Sequence, residues 1–324
     1  MGASITASRV KTIYIRQNNP SWDESYVPSI LATRSEAPSV SKPAEIYSSK
    51  FKRRIHCLSN PELNFALLAL YHPNIVGIQE QRMLPPLKSE HPLSGFPGVD
   101  KVRLAPMMGT LEVAKELGCE NLIRKVLITN KQGERVALAV PFIGDHLLAI
   151  KSGSQISCIN WSIKSNQSEF RVKELYQFNV FNRNKAKRES QYLRHLIEQV
   201  QYESCGITTH ALSEDQFDRN VFDNLRQIYV HCQSSSGLST SKQQKLLDYF
   251  KTAYKQGTPP SEIIGYFDLL NKFTPEQSKQ IFYKAIWNRA LRVDLFRPVL
   301  IDRPLRPEKV DVLEHYAEYF EGQQ

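Results

Sequence analysis

Two apolar stretches, residues 143–150 and 156–163, are separated by Lys151-Ser152-Gly153-Ser154. Turn-forming residues between two strand-like runs predict an antiparallel β-hairpin. No other feature constrains the fold as much, because an isolated hairpin is at best marginal in water and this one must be covered by other elements. The hairpin also has a chemical consequence. Asp145 lies near the start of the first strand and Lys164 at the end of the second, 19 residues later. Antiparallel neighbours bring the start of one strand beside the end of the next, so the two side chains meet at one sheet edge.

Asn60-Pro61 reads as a helix start, since Asn caps well and Pro suits the first helical position. Leu63, Leu67 and Leu70, with Phe65, Ala66 and Leu68, make a broad apolar face. That face needs the sheet for its burial, which carries Glu62 towards the edge shared by Asp145 and Lys164. Residues 74–81 read as a strand, and 110–117 as a short helix closed by Gly118. Residues 124–129 and 135–140 read as strands around Asn130-Lys131-Gln132-Gly133. A long polar helix is expected over 185–204, a strand over 207–212, and a helix capped by Ser213 through 230. This alternation predicts an α/β domain over 57–232, a mixed sheet flanked by helices.

The two ends differ from this core. Residues 1–56 carry Pro20, Pro28, Pro38 and Pro43, with nine Lys/Arg against four Asp/Glu. They read as an extended basic arm. Residues 233–241 (QSSSGLSTS) form a Ser-rich break. Helices are expected beyond it at 242–255, 260–271 and 275–290, followed by a two-stranded wing at 291–296 and 298–302. Residues 233–324 are therefore expected as a mostly helical, winged-helix-like module. Its third helix opens Thr274-Pro275-Glu276-Gln277, with an acid where a DNA phosphate would approach, which favours a protein partner. The Pro/Gly-rich stretch 85–106 reads as a loop.

Five scattered cysteines without CxxC spacing argue against a disulfide framework or a zinc knuckle. No window approaches the ~20 apolar residues of a membrane span. A formal charge of +9 favours a polyanionic partner. Phosphodiester hydrolysis uses carboxylates to bind Mg²⁺ through hard oxygens and a nearby lysine to orient water and steady charge. Glu62, Asp145 and Lys164 fit that scheme. Each also has an ordinary explanation: Glu62 as a first-turn acid, Asp145 as a turn residue beside Gly144, Lys164 as a solvated strand end.

A series of short segments bears on that choice. Tyr26-Val27-Pro28-Ser29-Ile30 resembles a Tyr-x-Pro-Trp-Leu segment, with the Trp replaced. Residues 52–63 (KRRIHCLSNPEL) resemble a basic-Val-His-x-Leu-Ser-x-x-Glu-Leu helix entry. Residues 77–87 (GIQEQRMLPPL) resemble Asp-Ile-Arg-Glu-Gln-x-Pro-Leu-x-Pro-Leu, and 110–118 (TLEVAKELG) resemble Thr-Ile-x-Ile-Ala-x-Glu-Leu-Gly. Residues 198–208 (EQVQYESCGIT) and 213–225 fit the helix, strand and helix that follow. In this order, over roughly residues 25–230, the segments resemble TnsA, the endonuclease subunit of Tn-seven-like transposons.

The resemblance implies a restriction-endonuclease-like fold and a bacterial, cytoplasmic protein. It places Glu62 on the metal-binding helix glutamate, Asp145 on the central metal-binding aspartate and Lys164 on the catalytic lysine. Ser162 falls where the family has a metal-contacting Gln. Glu80 and Glu198 are further candidates, as metal ligands or as structural partners. Mg²⁺ is the implied cofactor, with Mn²⁺ able to substitute. The implied partners are DNA at transposon ends, a DDE-family transposase and an AAA+ ATPase. The implied activity is cleavage of the 5′ strand for cut-and-paste transposition. Lys50, Lys52, Arg53 and Arg54, with Arg183, Lys185, Lys187 and Arg188, are expected along the phosphates. Residues 88–107 are longer than the family usually has. Two other readings stay open: a non-catalytic adaptor linking transposase and ATPase, and a plain basic DNA-binding module.

Overall fold

The hairpin forms, and a sheet is built on both of its sides. A computed structural model of the chain describes residues 6–129, 133–170, 183–233 and 235–322, with side chains in all of these except 183–188. Strand β6 (Phe142–Ser152) pairs antiparallel with β7 (Gln155–Lys164), with His146 opposite Trp161. Strand β3 (Ile75–Leu84) adds antiparallel to β6, and β8 (Thr208–Ser213) adds parallel to β7, giving the order β3-β6-β7-β8. The architecture is mixed α/β, a mixed sheet flanked by helices. Alternation along β6 and β7 sorts the two faces. Leu148, Ile159, Trp161 and Ile163 share a core with Phe65 of helix α2 (Asn60–Tyr71), while Leu147, Ala149 and Cys158 cluster with Tyr202 of α4 (Arg183–Glu203).

The N-terminal stretch is not an extended arm. Helix α1 (Ala7–Gln17), capped by the Thr6 hydroxyl, buries Val10 and Ile13. The Gln17 amide ties it to β3, since Oε1 accepts from Met83 N at 3.1 Å and Nε2 donates to the Val27 carbonyl at 2.6 Å. A second hairpin, β1 (Ala44–Ser48) and β2 (Arg53–Cys57), packs beside α2 and β3. These elements are short and bounded by Pro and Ser, so local periodicity hides them, and contact with α2, β3 and the strand pair Lys125–Thr129 and Arg135–Ala139 stabilises them.

Arg53, expected on DNA, is instead buried. Its guanidinium meets both Glu80 oxygens at 2.8 Å. Glu80 is fully buried, also accepts from His56 N at 3.1 Å, and has its own carbonyl bonded by the Tyr26 hydroxyl at 2.7 Å. Glu80 is thus a structural ion-pair partner. Truncating Arg53 would leave a carboxylate buried without its cation, at a cost of about 3–5 kcal/mol. Arg53→Ala is expected to lower the melting temperature well beyond any change from Lys52→Ala at an exposed neighbour. Equal melting temperatures for the two variants would refute the pairing. Of the other arm residues, Lys50 donates to the His72 carbonyl at 2.8 Å and Arg54 pairs with Glu45 at 3.1 Å.

The C-terminal third also departs from expectation. Helices α5 (Arg219–Cys232), α6 (Thr240–Gln256), α7 (Pro260–Leu269) and α8 (Pro275–Trp287) form, but the Ser-rich stretch marks no break in packing. One apolar cluster runs from Phe65 and Trp161 through Phe222 and Ile228 of α5 to Phe250, Phe267 and Phe282. After the short helix α9 (Val312–His315), the chain returns to the sheet: Phe320 meets Trp161 edge-on at 5.1 Å, and the Trp161 indole donates to the Tyr319 carbonyl at 2.7 Å. The expected wing strands at 291–296 and 298–302 are absent. Pairing there is a single antiparallel bridge between Val293 and Pro307.

The remaining elements are peripheral. Strands β4 (Lys125–Thr129) and β5 (Arg135–Ala139) make a separate ribbon, and their expected turn at 130–132 lies outside the described residues. Helix α3 (Thr110–Glu116) packs on α4. The loop at 85–106 closes through a bridge between Ser89 and Met107.

Candidate active site

The first turn of α2 is held by Ser59 rather than Asn60. The Ser59 hydroxyl accepts from Glu62 N at 3.3 Å and donates to Glu62 Oε1 at 2.8 Å. Glu62 Oε2 accepts from Leu58 N and from the Gln81 amide, each at 2.7 Å. Glu62 therefore does the capping work expected of a first-turn acid, and at the same time it faces a cleft of about 450 Å³. Gln81 reaches it from a backbone with φ +49°, a left-handed residue inside β3 that turns its side chain into the cleft.

Asp145 and Lys164 meet as the hairpin requires. Asp145 Oδ2 accepts from Ile163 N at 2.7 Å and lies 3.6 Å from Lys164 Nζ. Although burial opposes its charge, the ammonium of Lys164 and the amide of Ile163 hold its carboxyl below the usual range. Glu198, on α4, reaches the same cleft from the opposite side of the sheet's edge. Its Oε1 accepts from Asn160 Nδ2 at 3.0 Å and its Oε2 from the Ser162 hydroxyl at 3.4 Å. Gly144 makes room for it, since a Cβ there would sit 2.9 Å from Glu198 Oε1.

Three carboxylates thus line one cleft, and their charges oppose one another. Burial and then the Asp145 charge push Glu62 up to about 7, and the same two causes push Glu198 up to about 7. The Ser162 hydroxyl bonds His195 Nδ1 at 2.9 Å. Burial and the nearby Lys164 charge lower His195 to about 4, leaving a neutral imidazole. Arg124, Gln191 and Arg194 complete the rim, with the Arg194 guanidinium anchored on the Ile143 carbonyl at 3.0 Å.

The fold therefore gathers Glu62, Asp145, Lys164 and Glu198 and separates Glu80 from them. Ser162 lies beneath Glu198 and His195. Arg183, Lys185, Lys187 and Arg188 fall on the first turns of α4, and their side chains lie outside the described ones. Gln81, His195 and Arg194 went unnoticed in the sequence. His195 and Glu198 are spaced i, i+3 on one helix, a signal that becomes readable only once the helix is known to face the sheet.

Among the described residues no three His, Cys, Asp or Glu side chains converge into a preformed metal cage. A magnesium ion needs none, because it is held by one or two carboxylates and keeps several of its waters. Burial and then the Asp145 charge raise both Glu62 and Glu198, and a divalent cation beside the three carboxylates would relieve that repulsion, so the donor set fits Mg²⁺ or Mn²⁺. Asp145 is the best placed donor, since its hydrogen bond and its ion pair both fall on Oδ2, whereas both oxygens of Glu62 and both of Glu198 already accept. No family model matches the chain, and no curated protein resembles it significantly.

The raised carboxyl of Glu198 has a consequence for stability. Its folded pKa, about 7, lies above the ordinary 4.5, so the folded state holds the proton more tightly. Stability from that proton is complete below the ordinary value and is lost as pH rises through about 7. In EDTA, the melting temperature of Glu198→Gln relative to the parent chain is expected to rise between about pH 5 and about pH 8. A difference that stays flat over that range would contradict the assignment.

Proposed function

We propose that this chain is a metal-dependent DNA endonuclease that hydrolyses phosphodiester bonds in the cleft between α2, the β6–β7 hairpin and α4. The observation that carries this reading is the 3.6 Å approach of Lys164 to Asp145 inside a cleft lined by two further carboxylates. A helix glutamate, a strand aspartate and a strand lysine on one mixed sheet are also what a restriction-endonuclease-like core would present. A bound Mg²⁺ or Mn²⁺ would polarise the phosphate and lower the pKa of its water. Asp145 and Glu198, with Glu62 beside them, would hold the cation. Lys164 orients the attacking water and steadies charge on the phosphate. Arg194 and Arg124 at the rim offer cations to the flanking backbone.

By the resemblance to TnsA, the substrate is a transposon end and the strand cut is the 5′ one, with a DDE-family transposase acting on the other strand. The helical C-terminal third would then face the AAA+ ATPase. One observation favours the adaptor reading: Glu62 is fully engaged in capping and Ser162 in bonding His195. A nicking assay separates the two. The chain is co-expressed with its transposase on end-bearing DNA, with Mg²⁺ or EDTA, and breaks are mapped on each strand. Metal-dependent 5′-strand breaks that require Lys164 support the enzyme, whereas transposase breaks alone leave the adaptor.

A further inference from the structure

The segment 88–107 folds against α1 and β3 and encloses a second cavity, of about 400 Å³. It is a built part of the molecule. The bridge between Ser89 and Met107 closes it at its base, Leu93 and Phe96 are buried in the sheet-side cluster, and the Trp22 indole donates to the Pro92 carbonyl at 2.8 Å. Phe96 meets Trp22 edge-on at 5.4 Å.

Arg82 of β3 lines this cavity and is only 6% exposed. Its Nη1 bonds the Gln79 side-chain carbonyl, and its buried Nε has no hydrogen-bond partner. Among the described residues no carboxylate lies within ion-pair distance of its guanidinium, whereas the neighbouring buried arginine, Arg53, is fully paired. A buried cation without a counter-ion is costly, and buried charges are ordinarily paired. The rest of the wall supplies donors in the ammonium of Lys101 and the amides of Asn18 and Asn19, while the Ser89 hydroxyl donates to the Glu90 carbonyl at 3.3 Å. Glu90 is the acid on the rim, is exposed, and accepts a hydrogen bond from the Ser94 hydroxyl. Burial and the Arg82 charge lower His91 to about 4, so the positive charge in the wall comes from Arg82 and Lys101.

We infer that this cavity is an anion site that takes a phosphate group, with Arg82 as its buried cation and Lys101 as the cation at its mouth. A guanidinium fork with amide donors around it matches the several oxygens of a phosphate. The site is distinct from the catalytic cleft, although Gln81 and Arg82, adjacent on β3, serve one each. It gives the segment 88–107 a task that a plain surface loop would lack. The phosphate could belong to a small molecule or to a DNA backbone, and the chemistry of the wall is the same for both.

The test is a titration of the full chain with inorganic phosphate against chloride at matched ionic strength, read by melting temperature and by calorimetry. Saturable binding is expected, weakened at least tenfold in Arg82→Gln and several-fold in Lys101→Gln. The second variant alters an exposed residue and keeps the inference testable if the first fails to fold. Phosphate that competes with a short DNA duplex assigns the site to a backbone phosphate. Phosphate that binds without displacing the duplex assigns it to a free ligand. The inference is overturned if the parent chain responds to phosphate no more than to chloride, or if folded Arg82→Gln and Lys101→Gln bind phosphate as the parent does. Either result would make Arg82 an arginine held by Gln79 and solvent alone.

Discussion

Asp145→Ala is expected to reduce strand cleavage by about three orders of magnitude or more, because it removes a charged donor and the partner of Lys164 together. Asp145 accepts from Ile163 N and sits 3.6 Å from Lys164, so it orders that ammonium beside the cleft's carboxylates. Its loss also relieves Glu62 and Glu198 of the charge that, after burial, raises them. The fold should therefore survive: the variant's melting temperature should stay close to that of the parent chain in EDTA. Lys164→Ala should be nearly as inactive, and the double variant no worse than the more damaging single one, as for groups that act as a unit. The measurement is strand-specific nicking in the presence of the proposed partner transposase. Normal cutting by Asp145→Ala would remove the site from consideration, as would a double variant whose loss is the product of the two singles.

The second large effect concerns the C-terminal third. A separate module joined by a Ser-rich hinge could be deleted without harm to the rest. The structure leads to the opposite expectation. Removing residues 234–324 strips α8 from α5 and uncovers Phe65, Trp161, Phe217 and Phe222, which share one cluster with Phe282, Tyr316 and Phe320. The truncated chain is expected to aggregate or to lose cooperative unfolding, and nicking fails with it. A point variant isolates the cause. Phe320 stacks on His72 at 4.4 Å and meets Trp161 edge-on, so Phe320→Ala should cost about 3–5 kcal/mol. A soluble truncated protein with a sharp thermal transition would show that residues 1–233 fold without the C-terminal third, and an unshifted Phe320→Ala would show that the tail merely rests on the sheet.

Local pattern determined a good part of this protein. The apolar runs around Lys151-Ser152-Gly153-Ser154 specify a hairpin because side chains alternate with period two and the turn residues permit the reversal. That register alone brings Asp145 to Lys164. Asn60-Pro61 and the leucines behind them specify α2, with the cap one residue earlier at Ser59 than its composition indicates. Helices α6, α7 and α8 follow from their apolar stripes, with Ser239 capping α6 and Thr274 capping α8.

Tertiary structure decided what sequence-local rules do not encode. Arg53 sits among Lys50, Lys52 and Arg54 as if on a basic surface, yet it is buried because Glu80, 27 residues away, is there to neutralise it. Glu198 is one acid on a polar helix until α4 packs across the sheet and presents it beside Asp145. Residues 7–17 form a helix that persists because Val10 and Ile13 are buried and Gln17 bonds Met83 of β3. The Ser-rich stretch looks like a hinge, but whether it bends is set by the apolar area on either side of it, and α5 and α8 bury theirs together. Periodicity along the chain selects helix or strand, because those choices depend on neighbours three or four residues away. Which charges are buried, which acids converge and which segments share a core depend on neighbours distant in sequence, and only the packed chain brings those together.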